Sequence, residues 1–216
     1  WYQEVPHDLW DYDASAPVML FDARGPDGRI VPAAGQAGKV GNVFIVNRLT
    51  GKLLYKSQPF VEQSANMFTP PRFDGVTLLP GVSGGSLWQP PAFSPRTHYF
   101  YVLGANVPMT FTAIEYRDSR PGGPWVGRHT GGVMKRADGP QSGTLTAIDV
   151  NSGRIAWQYR SAQPMYGGVL ATASGLIFAG EMNGDFSAFD AATGKRLWST
   201  NLGTGVCSPP ITYQVH

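Results

Sequence analysis

Short runs of alternating apolar and polar residues, each closed by a small polar residue and a glycine, recur along the chain. Leu145-Thr146-Ala147-Ile148-Asp149 leads through Val150-Asn151-Ser152-Gly153 into Arg154-Ile155-Ala156-Trp157. The same order returns from Phe186 to Trp198, with Asp190, Gly194 and Trp198 each 41 positions after Asp149, Gly153 and Trp157. A looser copy runs from Val43 to Tyr55, with Asn47 for the Asp and Tyr55 for the Trp, and Trp1 stands where a fourth copy would end. Alternation with period two is the mark of a strand. An Asp can accept backbone N–H groups at a turn and a Gly can take positive φ, so each unit predicts a hairpin. The returning strand delivers a large aromatic at a fixed offset, placed to pack on the next copy. A repeat near 40 residues of this composition is the pattern of a β-propeller blade. No long stretch free of Gly and Pro carries apolar residues at i, i+3, i+4 and i+7, which argues against helical architectures. A β-sandwich is the alternative, and three positions coinciding at one offset argue against it.

The interval between Tyr55 and Leu145 has room for one degenerate blade with insertions. Within it, Thr97 to Leu103 reads as an inner strand. The segment 117–143, rich in Gly, Pro, Arg and Asp, reads as a long loop, in which Trp125 is either a wall of the substrate mouth or a surface aromatic. Composition agrees with an all-β chain full of turns: 27 Gly and 18 Pro among 216 residues, yet 42% apolar residues, enough for a core. Seventeen basic against fifteen acidic side chains leave a net charge of +2, thinly interspersed, which is not the concentrated basic face of a nucleic-acid binder. The single cysteine, Cys207, excludes an internal disulfide and reads as a small buried hydrophobe. No apolar run approaches the roughly 20 residues of a membrane-spanning helix.

Candidate chemistry concentrates near the amino terminus, in Pro6-His7-Asp8-Leu9-Trp10-Asp11-Tyr12-Asp13. On an extended strand, residues two apart point to one side, about 6 to 7 Å from each other, so one hard cation could bridge Asp11 and Asp13. The same acids are also compatible with a turn-and-cap role beside a packed Trp10. His7 reads as structural.

That segment resembles the catalytic stretch of the quinoprotein alcohol dehydrogenases, which use pyrroloquinoline quinone, and the repeat resembles their tryptophan-docking motif. Further matches follow in order at Ala37-Gly38-Lys39-Val40-Gly41-Asn42-Val43, Gly84-Gly85-Ser86-Leu87-Trp88-Gln89-Pro90-Pro91-Ala92-Phe93, Gly104-Ala105-Asn106 and Gly167-Gly168-Val169-Leu170-Ala171-Thr172-Ala173. The resemblance implies that residues 1–216 are the later part of an eight-bladed propeller, about four to five blades, with the metal-binding Glu and Asn of the family on blades outside these residues. It implies Asp11 as catalytic base and metal ligand, Asp13 as a second metal ligand that suits a lanthanide, and Lys39, Asn106 and Tyr166 as contacts of the quinone. The Gly104-Ala105 approach to Asn106 would leave room for the planar cofactor, and Tyr166 stands where alcohol-oxidising members carry Trp. The implied activity is base-assisted hydride transfer from a primary alcohol or sugar to the quinone beside Ca2+ or a lanthanide. A cytochrome c or a quinone would be the electron acceptor, and the periplasm the compartment. A non-catalytic propeller scaffold with the same repeat is the alternative, and it has no use for Asp11, Asp13, Lys39 and Asn106 as a set.

Overall fold

The computed structural model describes residues 1–114 and 133–214, and every regular element among them is a strand. The first 18 residues form no strand. The next four strands, β1 (Met19–Arg24), β2 (Ile30–Ala37), β3 (Val43–Asn47) and β4 (Leu53–Lys56), pair antiparallel in sequence order into one blade. The chain continues through β5 (Val76–Leu78), β6 (Ala92–Ser94), β7 (Tyr99–Asn106), β8 (Met109–Thr112), β9 (Val133–Arg136), β10 (Ser142–Asp149) and β11 (Ile155–Ser161). Of these, β6, β7, β10 and β11 form the second blade in the order β11-β10-β7-β6, while β5, β8 and β9 make a small side sheet ordered β5-β8-β9. A third blade follows in sequence order: β12 (Val169–Ala171), β13 (Leu176–Gly180), β14 (Asp185–Asp190) and β15 (Arg196–Asn201).

The described residues thus make three four-stranded blades where four to five were expected. The difference lies in residues 57–91, which add only β5 and otherwise run as connecting segments over the ends of the sheets. The expected loop 117–143 is also interrupted. Residues 133–136 pair with β8, and β10 already begins at Ser142. Trp125 lies outside the described residues.

The repeat is visible atom by atom. In all three copies the register shifts two residues before the turn, between Ile45/Val46, Ala147/Ile148 and Ala188/Phe189. Each turn then closes in one way, the N–H of Gly51, Gly153 or Gly194 donating to the carbonyl of Asn47, Asp149 or Asp190. These glycines sit at φ of 72, 70 and 71°, a region where a side chain is strained. The side-chain oxygens of Asn47, Asp149 and Asp190 accept from the N–H two residues on at 2.9, 2.9 and 3.1 Å, so Asn substitutes for Asp at no loss.

Packing follows the alternation. Ala33, Ala37, Val43 and Ile45 of the first blade meet Phe100, Val102 and Ile148 of the second. The opposite face of the second blade, with Tyr101, Leu103, Leu145 and Ala147, meets Val169, Ile177, Ala179 and Phe189 of the third. The middle strands β7 and β10 are therefore buried on both faces for most of their length. The aromatic that ends each copy reaches the next. Tyr55 packs at Gly153, and Trp157 lies over Gly194, so close that a Cβ there would stand 2.5 Å from its ring. The Trp157 Nε1–H and the Tyr101 hydroxyl both donate to the Ala191 carbonyl, at 2.9 Å each, tying the second blade to the third. The backbone of Trp1 packs against Gly51 in the same sense, although its side chain is exposed. Trp198 differs. It is 51% exposed, because among the described residues no sheet lies beyond the third blade. Cys207, expected in the core, is exposed, with its sulfur 3.4 Å from that of Met182. It lies beyond β15, and among the described residues no second layer covers it.

Candidate functional site

A third apolar cluster lies under the amino-terminal segment and joins Trp10, Tyr12, Val40 and Phe44 to Met67, Leu78, Ala105, Val107 and Phe111. It explains the local order of residues 10–13. Trp10 and Tyr12 turn inward, stacked at 6.0 Å with Phe68 set edge-on to both. The indole N–H of Trp10 donates to the Thr69 carbonyl at 2.8 Å, and the Tyr12 hydroxyl to that of Pro80 at 2.7 Å. Asp11 and Asp13 are left facing the other way. The segment is not the extended strand expected from the spacing, since Asp11 adopts φ 61°, a left-handed conformation that Asp tolerates better than most residues. The carboxylates still converge, and Lys39 is the reason.

Lys39 sits in the tight β2–β3 connection, closed by the Gly41 N–H on the Gly38 carbonyl at 3.0 Å. A turn lysine is ordinarily solvated, yet this side chain is only 9% exposed. Its ammonium donates to Asp11 Oδ2 at 3.0 Å and to Asp13 Oδ2 at 2.8 Å, and its backbone N–H donates to the Asp13 carbonyl at 3.1 Å. Gly85 closes over it. A Cβ on Gly85 would stand 2.1 Å from the Lys39 carbonyl oxygen, so only glycine fits, and the Ser86 N–H donates to Gly38 at 3.2 Å. Gly85 and Ala105 then exchange both backbone bonds at 2.9 Å, which joins the Lys39 turn to the end of β7.

The electrostatics of the cluster are uneven. Burial raises the Asp11 carboxyl above its usual range and outweighs the hydrogen bond from Lys39. Asp13 is more exposed, and the hydrogen bond from Lys39 holds its carboxyl below that range. For the ammonium, burial alone would lower the pKa, but the bonds to Asp13 and Asp11 overcome it and the net shift is upward.

The other expected contacts are placed differently. The Tyr166 ring packs against the same apolar floor and stacks on Trp88 at 6.2 Å, while its hydroxyl donates to the Ser83 carbonyl at 3.0 Å. Asn106 is near in the chain to Ala105, but its amide is engaged elsewhere. Its Oδ1 accepts from the Glu62 N–H, and its Nδ2 donates to Ser142 Oγ, both at 2.8 Å. The room expected over Gly104 is filled by Val61, Thr144 and Phe60, so that glycine permits close packing within the protein. His7 is exposed, at φ 51°. Glu4 escaped notice in the sequence: its Oε2 is buried without a hydrogen-bond partner above Gly38, and burial pushes the carboxyl up to about 7. It borders a cavity of about 160 Å³ with Tyr2, Val18, Gln36 and Phe44. Nothing local in Gln3-Glu4-Val5 signals it. The packing of Trp10, by contrast, was expected beside the two acids.

Two carboxylate oxygens that already converge on one cationic nitrogen are a suitable part of a hard-cation site. They are only part of one, since among the described residues no three His, Cys, Asp or Glu side chains gather as a metal cage.

Blades tied by aromatic residues, with an acid pair and a buried lysine held beside the ends of their strands, define a propeller with a preformed ionic centre. Residues 1–65 and 59–216 match the family model described as PQQ: Glucose/ethanol/alcohol dehydrogenase, beta-propeller domain, and the chain belongs to that family. It is 34% identical to the quinoprotein ethanol dehydrogenase of Pseudomonas aeruginosa, over 99% of this chain and 37% of that protein. It is 32% identical to the lanthanide-dependent methanol dehydrogenase of Methylacidiphilum fumariolicum, over 98% of this chain and 37% of that protein. Among solved structures, the quinohemoprotein alcohol dehydrogenase from Comamonas testosteroni superposes with a TM-score of 0.82 at 30% identity, covering 99% of this chain and 34% of that one. The chain therefore spans little more than a third of the length of these relatives.

Proposed function

We propose that this chain forms the base-bearing side of a quinoprotein dehydrogenase site that oxidises a primary alcohol or a sugar, with Asp11 and Asp13 as carboxylate ligands of Ca2+ or a lanthanide and Asp11 also as general base. The observation that carries the reading is the buried Lys39 ammonium held by both carboxylates, 3.0 and 2.8 Å away. A scaffold gains little from burying an ammonium beside two carboxylates, because desolvating the lysine costs stability that apolar packing would not. When bound, pyrroloquinoline quinone supplies the two-electron acceptor and the cation a Lewis acid beside it.

The chain's own part is acid–base chemistry and placement. Asp11 is partly exposed, with its side chain at 28%, so a substrate hydroxyl can reach it while its backbone stays anchored by Trp10 and Tyr12. Taking up the hydroxyl proton lets the hydride depart from the adjacent carbon, and a carboxyl raised by burial is better matched to that task than an ordinary one. Lys39 and Tyr166 are the side chains we assign to the cofactor, the first as a fixed positive charge for developing negative charge and the second as a flat wall stacked on Trp88. Asn106 would have to release residue 62 or Ser142 to reach a quinone.

The remaining metal ligands, which the family resemblance places as a Glu and an Asn, are assigned to parts of the protein outside these residues. For the electron acceptor we propose a cytochrome c or a quinone. Two 1-butanol dehydrogenases of Thauera butanivorans among the relatives carry those two acceptors in their names. The periplasm is the proposed compartment, supported by the family alone. No helix among the described residues is long and apolar enough to cross a membrane.

The test is dye reduction by the protein carrying this chain, loaded with pyrroloquinoline quinone and either Ca2+ or La3+. Turnover with a primary alcohol or a sugar is expected, and Asp11→Asn should lower kcat by about 10²-fold or more, the scale of a lost general base. Normal kcat in that variant removes Asp11 from the chemistry.

A further inference from the structure

We infer that residues 80–86 are a strap that sets the spacing between the acid-bearing segment and the lysine turn, and that the hydroxyls of Tyr12 and Tyr166 are the positioning groups that hold it. The inference rests on the reading of Asp11, Asp13, Lys39 and Tyr166 as parts of a quinoprotein site, and adds what keeps those parts in register.

The parts sit on three separate pieces of the fold: the acids on the segment before β1, Lys39 between β2 and β3, and Tyr166 between β11 and β12. The strap touches all three. Tyr12, which stands between the two acids in the chain, donates its hydroxyl to the Pro80 carbonyl at 2.7 Å. Gly85 lies over the Lys39 carbonyl, and the Ser86 N–H donates to the Gly38 carbonyl at 3.2 Å. Between these two points the Tyr166 hydroxyl donates to the Ser83 carbonyl at 3.0 Å. Just past the strap, the buried Gln89 repeats that tie, accepting from the Leu87 N–H at 2.6 Å and donating to the Met165 carbonyl at 3.1 Å. The strap also has little slack. The Gly81 N–H donates to the Val107 carbonyl at 2.9 Å and the Gly84 N–H to the Gly81 carbonyl at 2.8 Å. A Cβ on Gly81 would stand 2.4 Å from Met109 Cγ, and one on Gly84 2.6 Å from Pro80 Cβ. A segment packed this closely passes a displacement on instead of absorbing it. Tyr166 thus has two uses that do not compete, since a hydroxyl bonds at the edge of the ring and leaves the face for a flat cofactor.

Three variants of the protein carrying this chain test it: Tyr12→Phe, Tyr166→Phe and, as a control, Tyr101→Phe. Each keeps its ring and loses a hydroxyl that donates to a backbone carbonyl, but the Tyr101 bond, to Ala191 at 2.9 Å, ties the second blade to the third and not to the strap. The first readout is amide hydrogen exchange at Gly85 and Ser86, followed by mass spectrometry, which needs neither cofactor nor substrate. Exchange is expected to be about fivefold faster in the two strap variants, the weight of one hydrogen bond, and unchanged in the control. Wild-type exchange in both strap variants, or an equal rise in Tyr101→Phe, overturns the strap. The second readout is kcat per bound quinone in the loaded protein, a quantity that a partly unfolded sample does not change. It is expected to fall about tenfold in the strap variants with KM nearly constant, because a displaced base and charge lose contact with the transition state, and to hold in the control. Equal kcat in all three variants overturns the positioning role. If the wild type neither binds quinone nor turns over while exchange responds as expected, the strap is supported and only the quinoprotein reading falls.

Discussion

Trp157 and Trp198 are the same residue of the same repeat, 41 positions apart, and they live in different surroundings. Trp157 lies between Tyr101 and the Gly194 turn, with its indole N–H bonded to Ala191. Trp198 touches Phe186 edge-on within its own blade, and half of it is exposed. The motif specifies where the aromatic is delivered, and the neighbouring blade decides what that delivery stabilises. A blade is thus a local unit by sequence and a cooperative one only by contact, as in other repeat architectures.

Chemical or thermal denaturation of point variants can break or sharpen this contrast. The largest effect is expected from Trp157→Ala, which should cost about 3 kcal/mol, since it opens a cavity between two blades and removes one of the two hydrogen bonds on the Ala191 carbonyl. A cost close to that of Trp198→Ala would break the comparison. Gly194→Ala should come next, at about 2 kcal/mol, because it combines a strained φ with a Cβ 2.5 Å from the Trp157 ring. The double variant Trp157→Ala, Gly194→Ala should recover most of the steric part, leaving the cost of the φ, and strict additivity would show that the two do not touch.

The first blade offers a milder version of the contrast, for among the described residues its outer face is covered by Tyr2 and Glu4 rather than by a sheet. Glu4 has a carboxyl raised from 4.5 to about 7 by burial. A raised acid favours the protonated folded state, so its contribution is fully present below the unfolded value and fades as pH climbs from about 4.5 to 7. Stability should therefore fall across that window by about 2 kcal/mol, discounted for partial exposure, and Glu4→Gln should flatten the profile. A wild-type profile without that fall would place Glu4 in water. The smallest effect, for residues 1–216 taken by themselves, belongs to Trp198→Ala, expected under about 0.5 kcal/mol for an aromatic that is half exposed among the described residues.

The site shows the same division between local pattern and assembled contact. Asp11, Asp13 and Lys39 were legible as candidates, but the strand geometry invoked to join the two acids was not what joined them. Asp11 is left-handed, and the pair converges because Trp10 and Tyr12 are pinned in the loops at Thr69 and Pro80 while Lys39 lies under Gly85. Asn106 was read as a contact of the cofactor and Gly104 as making room for it; the Asn106 amide is bonded to residue 62 and Ser142, and Val61, Thr144 and Phe60 fill the space over Gly104. Glu4 and the exposure of Cys207 had no signature at all, since each depends on what lies over it.

By itself the order of residues determined the strand, turn and glycine of every blade, the register shift before each turn, and the aromatic at its fixed offset. Those features are settled within about a dozen neighbouring residues by alternation, side-chain capping and the φ that glycine allows. What only the tertiary structure decided was which of those aromatics are covered, how a turn lysine comes to be buried, and that it holds both acids at once. Burial and ion pairing join segments tens of residues apart, so their energies are properties of the assembled sheets and not of any stretch of chain.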